Sequence, residues 1–338
     1  MIKRLLFVVL FLGVVAAGGA YWAFEQVKAS ADTELTLSSP QIFTVSSGTH
    51  LQRLFRQLEN EGLMQANPFR RYVGRLHPEW VGIKAGTYQL TPGMSLDDAI
   101  DLFVSGDEHQ FSITLLEGER FSEWLTQLRS NEQLAHETAQ MSEAEIADIL
   151  GYDGDKLEGV LLPETYFFTV GESDLDILKR AYVAMESLLA DAWEDRDDAL
   201  ELKSEYELLI MASIIEKETA LAAERGLVSS VFNNRLRIGM RLQTDPTVIY
   251  GMGDDYNGVI TRSALRKPTA YNTYTIDGLP PTPIAMPSKE SVLAAANPDE
   301  SKYLYFVADT HGGHTFTTNL RDHNRAVKVY RQWERSQN

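Results

Sequence analysis

The chain opens with a long apolar run. Between Leu5 and Phe24 no side chain is charged, while Lys3 and Arg4 precede the run and Glu25 follows it. Twenty helical residues, each rising about 1.5 Å, span about 30 Å, which is the thickness of the hydrocarbon core of a bilayer. The pattern predicts a single transmembrane helix over residues 5–24, with residues 1–4 in the cytoplasm.

A cleaved signal peptide is the alternative for this segment, because the small residues at 18–20 resemble a cleavage site. We favour the anchor because the apolar run continues past that site to Trp22 and Phe24, where aromatic residues would meet the outer interface. Either interpretation exports residues 25–338. The predicted location is the inner membrane of a bacterial cell, with the rest of the chain in the periplasm.

Residues 25–108 read as a stalk and a small module. Residues 25–40 are polar and rich in Ser and Thr, which predicts a stalk without helical structure. In residues 41–108, apolar positions three and four apart predict a helix over 51–61, and further helices are predicted over 67–76 and 95–104. Strands are predicted at 43–45 and 86–90. This α+β pattern resembles LysM glycan-binding modules, and a structural spacer is the alternative.

Residues 109–338 predict a larger, mixed α+β domain. Alternating or continuous apolar runs predict strands at 111–116, 303–307 and 314–317. Amphipathic patterns predict helices over 174–194, 201–223 and 320–334. Two helical stretches are expected within 120–155, and the pattern assigns no role to residues 131–155. The predicted fold class is therefore α+β, with a transmembrane helix, a small LysM-like module and a larger mixed domain.

The composition narrows the possible chemistry. At 44% hydrophobic and 23% charged residues, the chain can bury a sizeable core. Its net charge of −17 repels phosphate backbones, so we expect no nucleic-acid partner. It contains no cysteine, which excludes disulfides, zinc–thiolate sites and thiol nucleophiles. The seven histidines follow no metal-binding spacing, and His311 and His314 are expected to be structural. We predict neither a metal nor a cofactor.

One predicted helix carries a candidate acid. Glu216 and Glu218 are two residues apart, so they point about 200° from one another on a helix and cannot both line one cleft. Glu218 shares its face with apolar residues, from Met211 to Leu221. A carboxyl group on an apolar face is desolvated, which raises its pKa and suits it to general acid catalysis. The alternative is that both glutamates lie at a solvated helix end beside Lys217.

Amides, hydroxyls and aromatic rings are concentrated downstream of this helix. Such groups are what a sugar site needs, since they hydrogen-bond hydroxyls and pack against pyranose rings. The alternative is that they cap helices and close turns. The candidate substrate-binding residues are Asn234, Gln243, Thr244, Asp245, Tyr271, Asn272, Thr273 and Tyr274.

Long motifs in this part of the chain are similar to those of the YceG-like family of endolytic murein transglycosylases. They stand at 212–219 (ASIIEKET), 231–236 (VFNNRL), 240–251 (MRLQTDPTVIYG), 271–274 (YNTY) and 278–284 (GLPPTPI). The resemblance implies an anchored enzyme that cleaves peptidoglycan glycan strands internally, and its family acid falls on Glu218. It implies proton donation to the MurNAc–GlcNAc β-1,4 oxygen and a 1,6-anhydro-MurNAc end.

Two other functions stay open at this point. A muramidase-type hydrolase would need a second carboxylate, for which Asp245 and Glu224 are candidates. A non-catalytic scaffold of the wall-synthesis machinery would use the LysM-like module alone. The expected partners are glycan strands, the membrane through Leu5 to Phe24, and peptidoglycan synthases. A short stalk would bring the enzyme to nascent strands.

Overall fold

A computed structural model describes residues 2–337, with side chains described from Arg4 to Gln337. The predicted cytoplasmic residue Met1 and the side chain of Lys3 lie outside the described residues. The chain divides into two compact units, Met1–Phe111 with Phe168–Val170 and Ser112–Phe167 with Gly171–Asn338. Both helices and strands occur, so the mixed α+β class is confirmed.

The first unit packs three helices and a long N-terminal helix around a two-stranded sheet. Strands β1 and β2 are antiparallel, with Phe43 opposite Tyr88, and both side chains are buried with Phe103 in the core. Ser95 caps the last helix, and its hydroxyl accepts a hydrogen bond from the Asp98 amide. The elements are α1 (Ile2–Ala29), β1 (Gln41–Val45), α2 (Leu51–Asn60), α3 (Val73–Leu76), β2 (Gly86–Leu90) and α4 (Leu96–Ser105).

Helix α1 has the length and composition of a membrane span. Its segment Arg4–Ala29 has a mean hydropathy of 2.2, and the most apolar part of it is fully exposed. A signal sequence would share these properties. An apolar N-terminal helix is therefore confirmed, and its orientation across a membrane stays a prediction.

The segment predicted as a stalk is folded onto the first unit. Helix α1 continues to Ala29, and the side chains of Ala31 and Leu35 are buried. The Leu35 amide donates to the Met94 carbonyl over 2.8 Å, and the Thr36 amide donates to the Leu63 carbonyl. The few apolar residues among the Ser and Thr residues are enough to hold this segment against the first unit. The polar composition of the segment gave no indication of this packing.

The helix predicted over 67–76 is broken. A 3₁₀ turn spans Arg70–Tyr72, and α3 has only four residues. The guanidinium of Arg70 is buried and bonds the Glu59 carboxylate and the Gln65 carbonyl, both over less than 2.9 Å. The ion pair holds the 70–72 turn against Glu59 of α2, and Pro78 ends the helical segment because the residue before a proline disfavours the helical conformation.

The second unit is built around a buried helix. Helix α8 is buried on every side from Leu208 to Ile215, and it contacts α7, α9, α10 and α11. Strands β3 and β4 pair, and β5 and β6 form an antiparallel hairpin against α12. The elements are β3 (Phe111–Leu115), α5 (Phe121–Arg129), α6 (Glu143–Leu150), β4 (Glu164–Phe168), α7 (Asp174–Glu194), α8 (Glu205–Glu218), α9 (Arg225–Arg237), α10 (Asp245–Met252), α11 (Lys289–Ala296), β5 (Tyr305–Ala308), β6 (His314–Thr317) and α12 (Leu320–Gln337).

Helix α8 is shorter than the predicted helix over 201–223. It begins after Ser204, whose hydroxyl accepts from the Glu207 amide, and ends at Glu218, because Thr219 is extended. The Thr219 hydroxyl accepts from the Leu221 amide, which is a local turn that competes with the helix. Leu221 is consequently 43% exposed instead of extending the apolar face, and Glu218 is the last helical residue.

Candidate functional site

A polar cavity of about 360 Å³ opens in the second unit beside the end of α8. Residues from α8, α9, α10, β5 and α12 and from two loops line it. Its volume is within the range typical of small-ligand sites. The lining residues are Glu218, Arg235, Leu242, Gln243, Thr244, Asp245, Tyr274, Tyr305, Phe306, Leu320, His323 and Asn324.

Glu218 is one of the two carboxyl groups that line this cavity, the other being Asp245. Part of its side chain faces the cavity, and the rest is enclosed by protein atoms. Removal from bulk water raises the pKa of Glu218 to about 7, although a hydrogen bond from the Thr244 hydroxyl acts in the opposite direction. The negative charge of Asp245 also raises the pKa, while Arg235 and His314 lower it. Such a carboxyl group both gives and takes a proton near neutral pH.

Glu216 has a different role, as the helical angle requires. Its side chain is 5% exposed and accepts hydrogen bonds from the Ser288 amide over 2.9 Å and from the hydroxyls of Ser288 and Ser291. It thus holds the N-terminus of α11, where a carboxylate is favourable. The guanidinium of Arg225 lies 4.0 Å away. The two glutamates therefore point in different directions, and Glu216 is committed to the fold.

The loop before α10 brings Thr244 to Glu218. Gln243 has a φ of 49°, which is a left-handed conformation that non-glycine residues rarely adopt. Thr244 is the N-cap of α10, but its side chain makes no capping bond because it donates to Glu218. The buried Thr273 holds the loop, since its hydroxyl accepts from the Thr244 amide over 3.0 Å and pairs with Thr247 over 2.9 Å.

Asp245 and Arg235 give the cavity both signs of charge. Asp245 accepts a hydrogen bond from the Tyr274 hydroxyl over 2.6 Å. Arg235 is buried, donates through Nε to the Leu304 carbonyl over 2.7 Å and lies 5.4 Å from the centre of the Tyr305 ring. Burial lowers the pKa of Arg235. Both charged groups are held by protein partners, so their positions are set before any ligand binds.

Four of the predicted binding residues line this cavity and four do not. The first four are Gln243, Thr244, Asp245 and Tyr274. The others act as braces: the Asn234 amide donates to the Ser301 and Tyr303 carbonyls, the Tyr271 hydroxyl pairs with Thr282, the Asn272 amide donates to the Ala264, Leu265 and Lys267 carbonyls, and Thr273 holds the loop. The contacts of these four residues agree with the alternative interpretation, in which such side chains cap helices and close turns.

The cavity also contains residues that the sequence reasoning did not select, namely Arg235, Tyr305, His323 and Asn324. Arg235 directly follows Asn234 on α9, so the two side chains point about 100° apart around the helix axis. The helix periodicity offered a signal for Arg235, because this charged residue occupies a position at which the apolar pattern of α9 predicts a buried side chain. His323 stacks on Tyr305 at 5.1 Å, and burial lowers its pKa, so the ring is neutral near pH 7.

Glu224 and Glu158 are the other carboxyl groups of interest in this unit. Glu224 bonds the His314 ring over 2.6 Å and the His314 amide over 2.8 Å. Glu158 has a pKa raised to about 7 by burial, and it accepts from the Phe121 amide and the Tyr250 hydroxyl. Neither lines the cavity. Across residues 2–337 we find no group of three His, Asp or Glu side chains that could hold a metal.

Fold and site together define a class of protein. It is a mixed α+β chain with an apolar N-terminal helix and a polar cleft whose lining includes one carboxyl group of raised pKa. Because the carboxyl group lies beside hydroxyl, guanidinium and aromatic side chains, the cleft is suited to acid–base chemistry on a polar, ring-containing ligand.

Comparison with known proteins identifies the family. The model of the YceG-like family matches residues 43–329. The endolytic murein transglycosylase of Bacillus subtilis is 31% identical, over 93% of this chain and 90% of that protein. The endolytic murein transglycosylase of Streptococcus pneumoniae D39 is 28% identical, over 94% of this chain and 63% of that protein. A solved YceG-like protein from Listeria monocytogenes has a TM-score of 0.52 and 26% identity, covering 86% of this chain and 99% of that one. The chain belongs to the YceG-like family.

Proposed function

We propose that this protein is a membrane-anchored endolytic peptidoglycan lytic transglycosylase with Glu218 as its catalytic acid and base. The names of the relatives in Bacillus subtilis and Streptococcus pneumoniae support the activity. The observation that carries the assignment is the Glu218 carboxyl group in the cavity, with its pKa raised to about 7.

The proton of Glu218 is transferred first. The Thr244 hydroxyl donates to Oε1. We therefore assign the transferred proton to Oε2, the carboxyl oxygen that does not accept this hydrogen bond. This proton passes to the glycosidic oxygen between MurNAc and GlcNAc, and the bond from MurNAc C1 to that oxygen breaks. The leaving GlcNAc keeps the proton as a new 4-hydroxyl group, and positive charge develops at C1.

The same carboxylate then completes the reaction. Glu218 takes the proton of the MurNAc C6 hydroxyl, whose oxygen forms a bond to C1. The product is a 1,6-anhydro-MurNAc end, and no water is consumed. One carboxyl group is sufficient because the nucleophile belongs to the substrate, whereas most glycoside hydrolases need two.

Gln243, Asp245, Tyr274 and Arg235 are proposed to orient the sugar in this reaction. They line the same cavity as Glu218 and are held by loop and helix contacts. Tyr305 adds an aromatic face against which a pyranose ring could pack. Asn234, Tyr271, Asn272 and Thr273 are proposed as braces of the surrounding loops, without sugar contact.

The hydrolase alternative rests on Asp245, since Glu224 is paired with His314. Asp245 shares the cavity with Glu218 and is therefore a possible second carboxylate. Its oxygen is already bound to Tyr274 over 2.6 Å, which favours a binding role over activation of a water molecule.

Product analysis tests the proposal. Purified full-length protein is incubated with isolated glycan strands, and the products are read by mass spectrometry. We expect internal cleavage with anhydro ends, and we expect Glu218→Gln to lose activity by roughly 10²–10⁴-fold. Glu201→Gln is the matched control, because Glu201 is an exposed partner of Arg237 outside the cavity. Reducing ends would indicate hydrolysis, and intact strands would indicate a scaffold.

The remaining parts of the proposal concern location. We propose that α1 spans the inner membrane with its N-terminus in the cytoplasm, so that cleavage acts on nascent strands beside synthases. The apolar composition of Arg4–Ala29 supports this. We also propose residues 41–108 as a LysM-like glycan-binding module, supported by the two paired strands with helices between and after them.

A further inference from the structure

The first unit also contains a mostly apolar cavity. Its volume is about 650 Å³, and the end of α1 forms one wall while the segment around α3 forms the other. Apolar side chains make most of its lining, and two arginines and a tyrosine supply the polar groups. The lining residues are Ala23, Phe24, Val27, Pro68, Phe69, Arg71, Tyr72, Arg75 and Leu76.

The position of this cavity along α1 is informative. Phe24 is the last residue of the uncharged run, and Val27 follows one turn later. The cavity therefore begins where the membrane-spanning segment of the proposed function ends, at the level of lipid headgroups. Trp22 packs edge-on against Phe69 with ring centres 5.5 Å apart, so the two walls contact each other there.

The charge at the mouth of the cavity is opposite to that of the whole chain. Arg71 and Arg75 are exposed, and across the described residues neither forms an ion pair, unlike Arg70, which binds Glu59. Their guanidinium groups lie 4.7 and 5.5 Å from the centre of the Tyr72 ring, and thus within about 10 Å of each other. Two uncompensated guanidinium groups are retained here in a chain of net charge −17.

An apolar wall next to two free arginines fits one class of ligand. Phosphate binds guanidinium groups through charge-assisted hydrogen bonds, and acyl chains pack against Phe24 and Leu76. A soluble anion would leave the apolar wall unused, and a zwitterionic lipid would neutralise the charge itself. An anionic phospholipid satisfies both parts of the cavity.

We propose that the cavity between the end of α1 and α3 binds the headgroup and upper acyl chain of an anionic phospholipid through Arg71 and Arg75. The site would fix the first unit at the membrane surface. This inference rests on the proposed membrane anchor, and it is independent of the chemistry of Glu218.

The test uses full-length protein extracted in detergent and titrated with phosphatidylglycerol or phosphatidylcholine, with bound lipid counted by native mass spectrometry. Each arginine near an anionic lipid contributes about 1 kcal/mol, so two of them predict roughly a thirtyfold preference for phosphatidylglycerol. We expect Arg71→Ala/Arg75→Ala to remove that preference. The charge-retaining variant Arg71→Lys/Arg75→Lys should keep most of it.

The matched control is Arg53→Ala/Arg56→Ala, which removes two exposed arginines from α2 in the same unit. The preference should survive in this control. Equal losses in both double variants, or equal binding of the two lipids by the original protein, would overturn the site. Competition by soluble glycerophosphoglycerol would also overturn it, since it would show that the apolar wall contributes nothing.

Two further measurements separate this inference from the proposed function. Thermal unfolding checks that each variant is folded. Loss of the protein from the membrane fraction of cells would contradict the anchor itself. A membrane-bound protein without lipid preference would contradict only the lipid site.

Discussion

Replacing Thr244 by valine should change the pH dependence of cleavage in a predictable direction. The Thr244 hydroxyl donates a hydrogen bond to Oε1 of Glu218, which favours the ionised carboxylate and lowers its pKa. Removing the hydroxyl leaves burial unopposed by that bond. The pKa of Glu218, now about 7, should therefore rise.

The magnitude follows from the energy of the lost bond. A hydrogen bond to a charged group contributes about 1.5–3 kcal/mol, and about 1.4 kcal/mol corresponds to one pKa unit. Glu218 faces the cavity in part, so water replaces some of the lost interaction. We therefore expect a rise of about one unit, which is toward the lower end of that range.

The assay is the pH profile of kcat/KM on isolated glycan strands. The general acid must be protonated, so activity falls as pH rises through the pKa of Glu218. This alkaline limb should move from about pH 7 to about pH 8 in Thr244→Val. The control is Thr247→Val, which removes a buried hydroxyl in the first turn of α10 that bonds Thr244 and Thr273 without touching Glu218.

Two results would refute this reasoning. An alkaline limb that stays in place in Thr244→Val would show that the hydroxyl does not control the acid. A limb that moves equally in Thr247→Val would show that loop disorder, and not the lost hydrogen bond, shifts the profile.

The other predictions concern stability, binding and location. The pKa of Glu218 is raised from 4.5 to about 7 in the folded state, so between these pH values the folded protein holds a proton that the unfolded chain has released. The stability contributed by Glu218 therefore falls as pH rises from about 4.5 to about 7. Glu218→Gln should then unfold at a higher temperature than the original protein at pH 8 and show little gain at pH 4, which calorimetry measures. Glu216→Gln should lower the free energy of unfolding by about 1–3 kcal/mol through its lost hydrogen bonds while keeping the alkaline limb in place; an altered limb would implicate Glu216 in the chemistry. Arg235→Lys should raise KM more than it lowers kcat, since its two bonds to carbonyl groups position it for binding; an unchanged KM argues against sugar contact. Finally, fractionation of cells should recover the full chain with membranes and an intact N-terminus, and a soluble product beginning near Tyr21 would show a cleaved signal peptide.

Several elements were predictable because local patterns and tertiary packing agree in them. Helix α7 follows its predicted bounds of 174–194, and α4 begins directly after Ser95, where the helix predicted over 95–104 starts. The strands predicted at 43–45, 86–90, 111–116 and 314–317 are also present, whereas β4, α9, α10 and α11 were not predicted. In the predicted segments apolar spacing and capping residues point to the same structure as the final packing.

Other features depend on contacts between distant residues and escaped the pattern. The end of α8 at Glu218 depends on Thr219, and the folding of residues 31–36 depends on carbonyls at 63 and 94. Within the site, the family resemblance put the acid on Glu218, while the helical angle alone left that assignment open. The distinction between Asn234 as a brace and Arg235 as a lining residue needed the hydrogen bonds of α9 with residues 301–304.

The fusion of α1 with the first unit has a mechanical consequence. A slack tether of sixteen residues would let its cargo sample a wide shell of heights above the bilayer. Here Val27, Ser30 and Ala31 are buried in the unit directly after the apolar run, so the anchor has no slack. With α1 in the membrane as proposed, the first unit is held at one fixed height above the bilayer. Glycan strands at other heights would then lie out of reach of the first unit, however tightly it could bind them.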